Sequence, residues 1–335
     1  MVQLAHAEPP TADLASMDLS QLLQVTVTES GELTMDDMGK PSQFLSFNSG
    51  GKFTFGYQYR HVLSEGYYQG SNEISDLETL ALFPVVPTEI TQQAHLFSIG
   101  YIANPKWAFQ VTIPRLYQST FHIRRGGEPF TLESKGIGDI TTQILRSFHL
   151  ESGVYVYAGL GIGLPSGTIT ATGDTPRGPD SQLPYAMQLG SGTVDLKPTV
   201  GMSTDLGSRA DAGADIHGVI RLGENDREYT LGNLLELDAW YSYDLTTWLR
   251  LRPELGFRVW GDIDGMDPEV ALGIAPVAEP DNYGGTRLDA SLAAQILLTD
   301  QRFVEIAAKT PLAQDLNGTQ IGNDWIYSVG LKWAF

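Results

Sequence analysis

The amino-acid sequence predicts an all-β fold: a transmembrane, antiparallel, up-and-down β-barrel of about twelve strands behind a short N-terminal segment. Three observations predict it. Apolar and polar residues alternate with period two through most of residues 51–335. The connections between these runs alternate between short and long. The polar face carries charges of both signs at mid-strand, which suits a wetted interior and not a dry core.

The elements follow in order. Residues 1–7 read as the remnant of a secretory signal, because Ala5-His6-Ala7 before Glu8-Pro9-Pro10 has the small-residue pattern of a cleavage site. Residues 8–50 read as a short periplasmic or lumenal segment. Asp18 and Gln21 occupy capping positions of a short helix bearing Leu19, Leu22 and Leu23, and an extended Val25-Thr-Val27 follows. The stretch DLASMDLSQLLQVTVTES resembles the start of many TonB-dependent receptors, whose plug domain and far larger barrel would not fit in 335 residues. The acidic residues of the segment (Asp13, Asp18, Glu29, Glu32, Asp36 and Asp37) complement inward arginines, so it is expected to occlude the lumen from the periplasmic side.

The barrel occupies 51–335. Its first run sets Phe53, Phe55, Tyr57 and Tyr59 against Thr54, Gly56, Gln58 and Arg60. Runs at 97–101 and 107–113 come next, then about 138–148, 153–164, 193–203, 209–221 and 233–243. The clearest is 249–260, where Leu249, Leu251, Pro253, Leu255, Phe257 and Val259 alternate with Arg250, Arg252, Glu254, Gly256, Arg258 and Trp260. The last lie at about 286–298, 302–310 and 324–335. Longer connections are expected at 63–90, 115–137, 165–187, 222–232, 261–285 and 311–323. Apolar-face aromatics (Tyr101, Trp107, Phe148, Tyr241, Tyr243, Trp333) gather beside the short turns, as a membrane-interface girdle requires. A Greek-key sandwich explains neither the loop rhythm nor the girdle. Pro198 and Pro253 fall inside strands, where bulges are expected. A tight hairpin at Asp244–Thr247 would set Asp238 opposite Arg252 and Trp240 opposite Arg250.

Composition narrows the classes. No stretch approaches the roughly 18 uncharged apolar residues of a membrane-spanning helix. Cysteine is absent, so neither disulfides nor thiolate-bound metals hold this chain. The net charge of −19 excludes nucleic acid as a partner. The expected surroundings are outer-membrane lipid and lipopolysaccharide of a Gram-negative bacterium.

The C-terminal residues Ser328, Gly330, Trp333 and Phe335 resemble the terminal signal by which the barrel assembly machinery recognises outer-membrane proteins. Four stretches resemble one family, the outer-membrane proteins assigned to transport in the meta-pathway of phenol degradation. They are GIGDI at 136–140, GLGIGLPSGTI at 159–169, MQLGSGTVDLKPTVG at 187–201 and PLAQDLNGTQI at 311–321. The resemblance implies a barrel that passes aromatic or other apolar compounds.

Candidate functional residues are therefore lumen-lining: Arg60, Lys197, Asp215, His217, Glu236, Asp238, Trp240, Arg250, Arg252, Glu254, Arg258, Arg287 and Asp289. None of the six histidines has Ser two positions on, the pattern of a barrel phospholipase, and the grouping of His217, Asp215 and Asp211 reads as a hydrated lumenal cluster. No catalytic residue is assigned. One acidic loop, Asp262, Asp264 and Asp267, is a candidate calcium site that lacks full EF-hand spacing. The expected function is passive diffusion of small, apolar or aromatic solutes. A non-transporting structural or partner-binding barrel is the alternative, and a barrel enzyme the third.

Overall fold

The structure, a computed structural model, describes residues 52–104, 106–150, 154–299 and 302–334. The N-terminal segment 8–50, the residues before it, and Phe335 lie outside the described residues.

Alternation over long runs makes strands of one face apolar, and those strands form a ring. They are β1 (Lys52–Glu65), β2 (Val85–Asn104), β3 (Trp107–Arg124), β4 (Ile140–His149), β5 (Val154–Leu164) and β6 (Val194–Asp205). The second half has β7 (Ala210–Leu222), β8 (Leu234–Asp244), β9 (Leu249–Trp260), β10 (Gly285–Thr299), β11 (Arg302–Ile321) and β12 (Trp325–Ala334). Each pairs antiparallel with its chain neighbours. β12 returns to β1 along a ladder from Thr54–Ala334 to Leu63–Trp325, which closes the barrel and leaves no edge.

Burial is the inverse of a soluble protein's. Ile99, Val200, Leu255 and Leu292 are each more than half exposed, while Arg60, Arg252 and Asp238 are at most 1% exposed. The apolar face points outward on every strand and the polar face inward, as lipid outside and a polar lumen inside demand. At the short-turn rim the girdle carries cations: Arg146 lies 5.1 Å from the Trp107 ring and 4.9 Å from Phe148, Arg209 5.2 Å from Tyr243, and Arg302 5.9 Å from Trp333.

The short connections fall at 105–106, 150–153, 206–209, 245–248 and 300–301. On the opposite side lie L1 (66–84), L2 (125–139), L3 (165–193), L4 (223–233) and L5 (261–284). The sixth expected long loop, 311–323, is instead strand. β11 runs on to Ile321 and pairs with a short strand of L1, Tyr67–Gly70. Pro311 removes a ladder donor, and a register shift opposite Leu288 and Asp289 absorbs it, so the chain continues beyond the proline.

No bulge forms at the other two prolines. The register on both sides of Pro198 and Pro253 is unbroken; the ladder toward β7 skips from Leu196–Ile220 to Thr199–His217, and that toward β8 from Trp240–Glu254 to Tyr243–Leu251. The missing N–H shows as a gap in one ladder, with no inserted residue. Gly218 faces Pro198, where an added Cβ would stand 3.2 Å from the proline Cγ.

Candidate channel lumen

The β8–β9 hairpin sets the register of the charged side chains. It is wider than the sequence predicts: Thr246 Oγ1 accepts from the amides of Trp248 (3.2 Å) and Leu249 (3.0 Å), which makes a four-residue turn. Asp244 therefore pairs with Arg250, Glu236 with Arg258 and Asp238 with Gly256, not Asp238 with Arg252. Trp240 faces Glu254, and the guanidinium over its indole is that of Arg252, at 3.8 Å. Faces survive a shift by an even number of residues; partners do not.

The inward residues divide the barrel into two walls. On β6–β12 they are mostly acidic and basic side chains, several of them paired. Arg221 meets Asp195 at 2.5 Å, and Arg250 meets Asp244 at 2.6 Å and Asp211 at 3.3 Å. Arg287 meets Asp289 at 3.0 Å, Gln295 donates to Glu305 at 2.7 Å, and Lys197 donates to Thr141 at 3.2 Å. Asp215 accepts from Trp240 Nε1 at 3.1 Å and from the Tyr157 hydroxyl. Tyr157 lies over Gly201 and Trp240 over Gly213, since a Cβ at either glycine would collide with the ring. Those glycines let two large side chains lie flat along the wall. His217 contacts Thr199 Oγ1 at 3.1 Å, while Asp215 and Asp211 are engaged with the partners just named.

The wall of β1–β5 is different. Its inward face carries the amides Gln58, Gln92, Gln110, Gln118 and Gln143 with threonines and serines, and Arg60 is the one buried Arg, Lys, Asp or Glu on these strands among the described residues. In its loop-side half Val62, Ala94, Leu96 and Leu116, joined by Ile326 of β12, form an apolar patch on which Leu189 of L3 sits.

Leu189 is delivered there by a hub that sequence reasoning missed. Asp139 accepts from the amides of Gly167 (2.9 Å) and Ser191 (2.7 Å) and from the Ser191 hydroxyl (2.8 Å). Ser166 Oγ accepts from the Ile140 amide at 2.8 Å and donates to Gly138 O at 2.9 Å. Gly167 and Gly190 pass so close that a Cβ on either would strike the other's backbone. Three of the four stretches singled out in the sequence, around 136–140, 159–169 and 187–201, thus converge on one loop anchor. The fourth, 311–321, anchors L5: Asn317 donates to Asp262 (2.7 Å), the Thr319 amide to Asn282 (2.9 Å) and Gln320 to Gly284 O (2.7 Å).

The loops meet over the mouth. The Val85 amide at the start of β2 donates to Ile274 O of L5 at 3.0 Å, so L5 reaches across from β9 and β10. Tyr185, Tyr229, Ile263, Val270 and Ala278 make an apolar core from L3, L4 and L5. Asp267 is the polar centre of this lid. It is fully buried, accepts from Arg227 (2.8 and 3.0 Å) and Gln182 (3.0 Å), and its amide donates to the Tyr185 hydroxyl (3.0 Å). The three carboxylates of the candidate calcium loop are not brought together. Asp267 faces inward to Arg227, Asp262 is taken by Asn317 and Asp264 is exposed, and no cluster of three metal-ligating side chains exists among the described residues.

Of the terminal residues, Ser328 faces inward and buried opposite Arg60, Gly330 pairs with Gln58 and Glu305, and Trp333 with Phe55 and Arg302.

A closed twelve-stranded barrel, apolar outside and polar inside, defines a membrane-spanning protein of the bacterial outer-membrane type. No family model and no curated protein matches the chain. Among solved structures it is similar to an outer membrane channel from Pseudomonas putida F1, with a TM-score of 0.63 at 13% identity over 88% of this chain and 99% of that one. The NanC porin is a more distant likeness, with a TM-score of 0.44 at 10% identity over 84% of this chain and 98% of that one. At such identities the likeness is one of fold.

Proposed function

We propose that the protein is an outer-membrane channel through which small, neutral, partly apolar solutes diffuse passively. The observation that carries this reading is the division of the lumen. On one side stand acidic and basic side chains, several of them paired with one another, and on the other a neutral amide wall bearing the patch of Val62, Ala94, Leu96, Leu116 and Ile326. A neutral solute sliding along the second wall strips no water from an ion. Twelve strands lie between the eight that side chains fill and the sixteen that leave a broad aqueous pore. The lid of L3–L5 narrows the outer approach further. The four loop-anchoring stretches also support membership in the family assigned to transport in the meta-pathway of phenol degradation, and with it aromatic or other apolar cargo.

The test is swelling of liposomes holding the purified protein, with benzyl alcohol, benzoate, glucose and a disaccharide as solutes. The expected order is benzyl alcohol fastest after subtraction of protein-free leakage, with the disaccharide excluded. Absence of protein-dependent swelling with every solute, from barrel verified by its gel mobility before and after boiling, would overturn the channel reading.

A further inference from the structure

The outward face of the barrel holds cations in two places. Arg146 and Arg302 stand in the short-turn girdle with Trp107 and Trp333. Away from that rim, Arg115 and Lys135 are the only arginine or lysine side chains on the outward face of the strands among the described residues. Arg115 lies on β3, and Lys135 on the short strand Phe130–Ile137 of L2, which pairs with β3. Arg115 faces Ile137 and Lys135 faces Tyr117, so the two cations are diagonal neighbours, about 7 Å apart at Cβ. Both are exposed, and neither makes an ion pair among the described residues. His95, across the β2–β3 pair from Arg115, is held to the Tyr57 hydroxyl at 2.9 Å.

The height of the pair fits a lipid headgroup. Arg115 stands eight residues along β3 from Trp107. At about 3.4 Å per residue and a tilt of about 40°, that is roughly 20 Å up the membrane normal, near the top of an apolar band about 25 Å tall. A charge on the lipid face is costly at mid-membrane and tolerated near an interface. On the membrane side of the pair, Phe97, Ile113 and Ile137 are exposed and apolar. On the loop side stand the outward carboxylates of the same strands, Glu65, Glu89 and Glu133, the last accepting from the Tyr117 hydroxyl. The order along the strands is apolar, then cationic, then anionic, which suits a lipid whose phosphate sits directly over its acyl chains. We propose that Arg115 and Lys135 clamp a phosphate of one outer-leaflet glycolipid, with its acyl chains on Phe97, Ile113 and Ile137. A phosphomonoester carries about −1.5 to −2 charges near pH 7 and three acceptor oxygens. Arginine offers two parallel N–H donors to such a group, and lysine a point charge on a flexible stem. A free phosphate would meet the cations alone, whereas a lipid also covers the apolar platform beneath them. The site rests on the barrel's place in the outer membrane and does not require that the barrel conduct.

The experiment is native mass spectrometry of the full chain released from detergent micelles, titrated with phosphorylated lipid A and with the same lipid A stripped of its phosphates. Phosphorylated lipid A should form a saturable one-to-one adduct, and the stripped form should bind about tenfold more weakly or worse. Arg115→Gln combined with Lys135→Gln should weaken the phosphorylated lipid by about the same factor. Arg146→Gln combined with Arg302→Gln removes equal charge from the opposite rim and should leave the adduct unchanged. Millimolar ammonium phosphate should not displace the lipid. Gel mobility before and after boiling verifies that each variant is folded. Four results would each overturn the proposal: equal binding of the two lipids, an undiminished adduct in the Arg115 and Lys135 double variant, an equal loss in the rim variant, or displacement by ammonium phosphate. The comparison of the two lipids uses the unaltered chain, so it decides the matter even if a variant fails to fold. None of these outcomes depends on solute flux, so this proposal and the channel reading fail separately.

Discussion

The two walls of the lumen solve one problem in opposite ways. Each must keep polar side chains inside a barrel whose outside is lipid. β6–β12 do so with acidic and basic side chains, some in pairs such as Arg221 with Asp195 and Arg287 with Asp289. β1–β5 do so with uncharged amides; buried polar atoms without a hydrogen-bond partner occur on both walls, the Oε1 atoms of Gln92, Gln110, Gln118 and Gln143 on this one and Arg287 Nη2 and Lys309 Nζ on the other. A buried ion left without its counter-ion costs several kcal/mol, while an amide open to a wet lumen exchanges one partner for another at little cost. The charged wall is therefore the costlier of the two to disturb, and the neutral wall is a surface along which a passing solute displaces no ion. The difference teaches where to look for stability and where to look for transport.

The largest expected effect tests that division directly. Asp195→Leu removes the carboxylate that meets buried Arg221 at 2.5 Å and accepts from Ser191 and Thr193, and should lower stability by about 3–5 kcal/mol. Gln92→Leu, as deeply buried on the neutral wall, should change it by less than about 1 kcal/mol. Urea unfolding from lipid vesicles measures both. Equal losses would erase the distinction.

Next in size is the lid. Arg227→Gln removes the charged partner of buried Asp267, and such hydrogen bonds are worth about 1.5–3 kcal/mol. If the lid equilibrates between closed and open arrangements, its open fraction should rise about tenfold or more, read as single-channel open time. Arg227 also holds the Glu269 carboxyl below the usual carboxylate range through a hydrogen bond and its positive charge. A depressed carboxylate pKa makes this contact complete above the ordinary range and loses it only as pH falls through the lowered value. Open time should thus stay flat from about pH 8 to pH 5 and rise only in stronger acid. A rise already at pH 6 would show that another group governs the lid.

How much of this was legible before folding depends on what each feature requires. Strand positions were, because lipid outside and water inside impose alternation at every membrane-depth residue, as at 249–260. The inward face of each strand was readable for the same reason. Partners across strands were not. They follow from the turn, and the Thr246 contacts that widen the β8–β9 hairpin carry no distinctive sequence pattern. Residues 311–321 looked like loop because a strand standing above the lipid has no reason to alternate, and Pro, Asn and Gly there mimic turn chemistry. Asp139 stood in the sequence only as part of the stretch GIGDI at 136–140. Its role appears only when Gly167 and Ser191 are brought to it from L3. The scarcity of charge on the inward face of β1–β5 is present in the sequence, but that these strands face a charged wall is a property of closure.

A smaller effect sharpens the transport side of the comparison. Leu116→Asn breaks the apolar patch without adding charge and should slow benzyl alcohol severalfold, on the order of 1 kcal/mol of lost apolar contact, while leaving glycerol unchanged. Matching changes for both solutes in liposome swelling would indicate a steric effect in place of an apolar one.

The smallest expected effect concerns ions, and it is the one in which the net charge of −19 is most misleading. Inside the barrel the cations Arg60, Lys197, Arg221, Arg252, Arg258, Arg287, Lys309 and Lys332 stand with the anions Asp195, Asp215, Glu236, Asp238, Glu254, Asp289 and Glu305, all buried. The lumen wall is close to balanced, so its average field along the pore is weak. Carboxylates on the loop side such as Glu65, Glu73, Asp264 and Asp281 are exposed to solvent, where a Debye length of roughly 8 Å at physiological salt confines their influence to the approach. The reversal potential across a salt gradient should therefore lie near zero at physiological ionic strength and drift toward cation preference as salt is lowered. Neutralising Glu65 and Glu73 together should remove that drift and leave the value at physiological salt where it was. A strongly cation-selective potential at physiological salt would mean that the buried charges of β6–β12 are not balanced along the path ions take, and the neutral wall would then lose its claim to be where solutes travel.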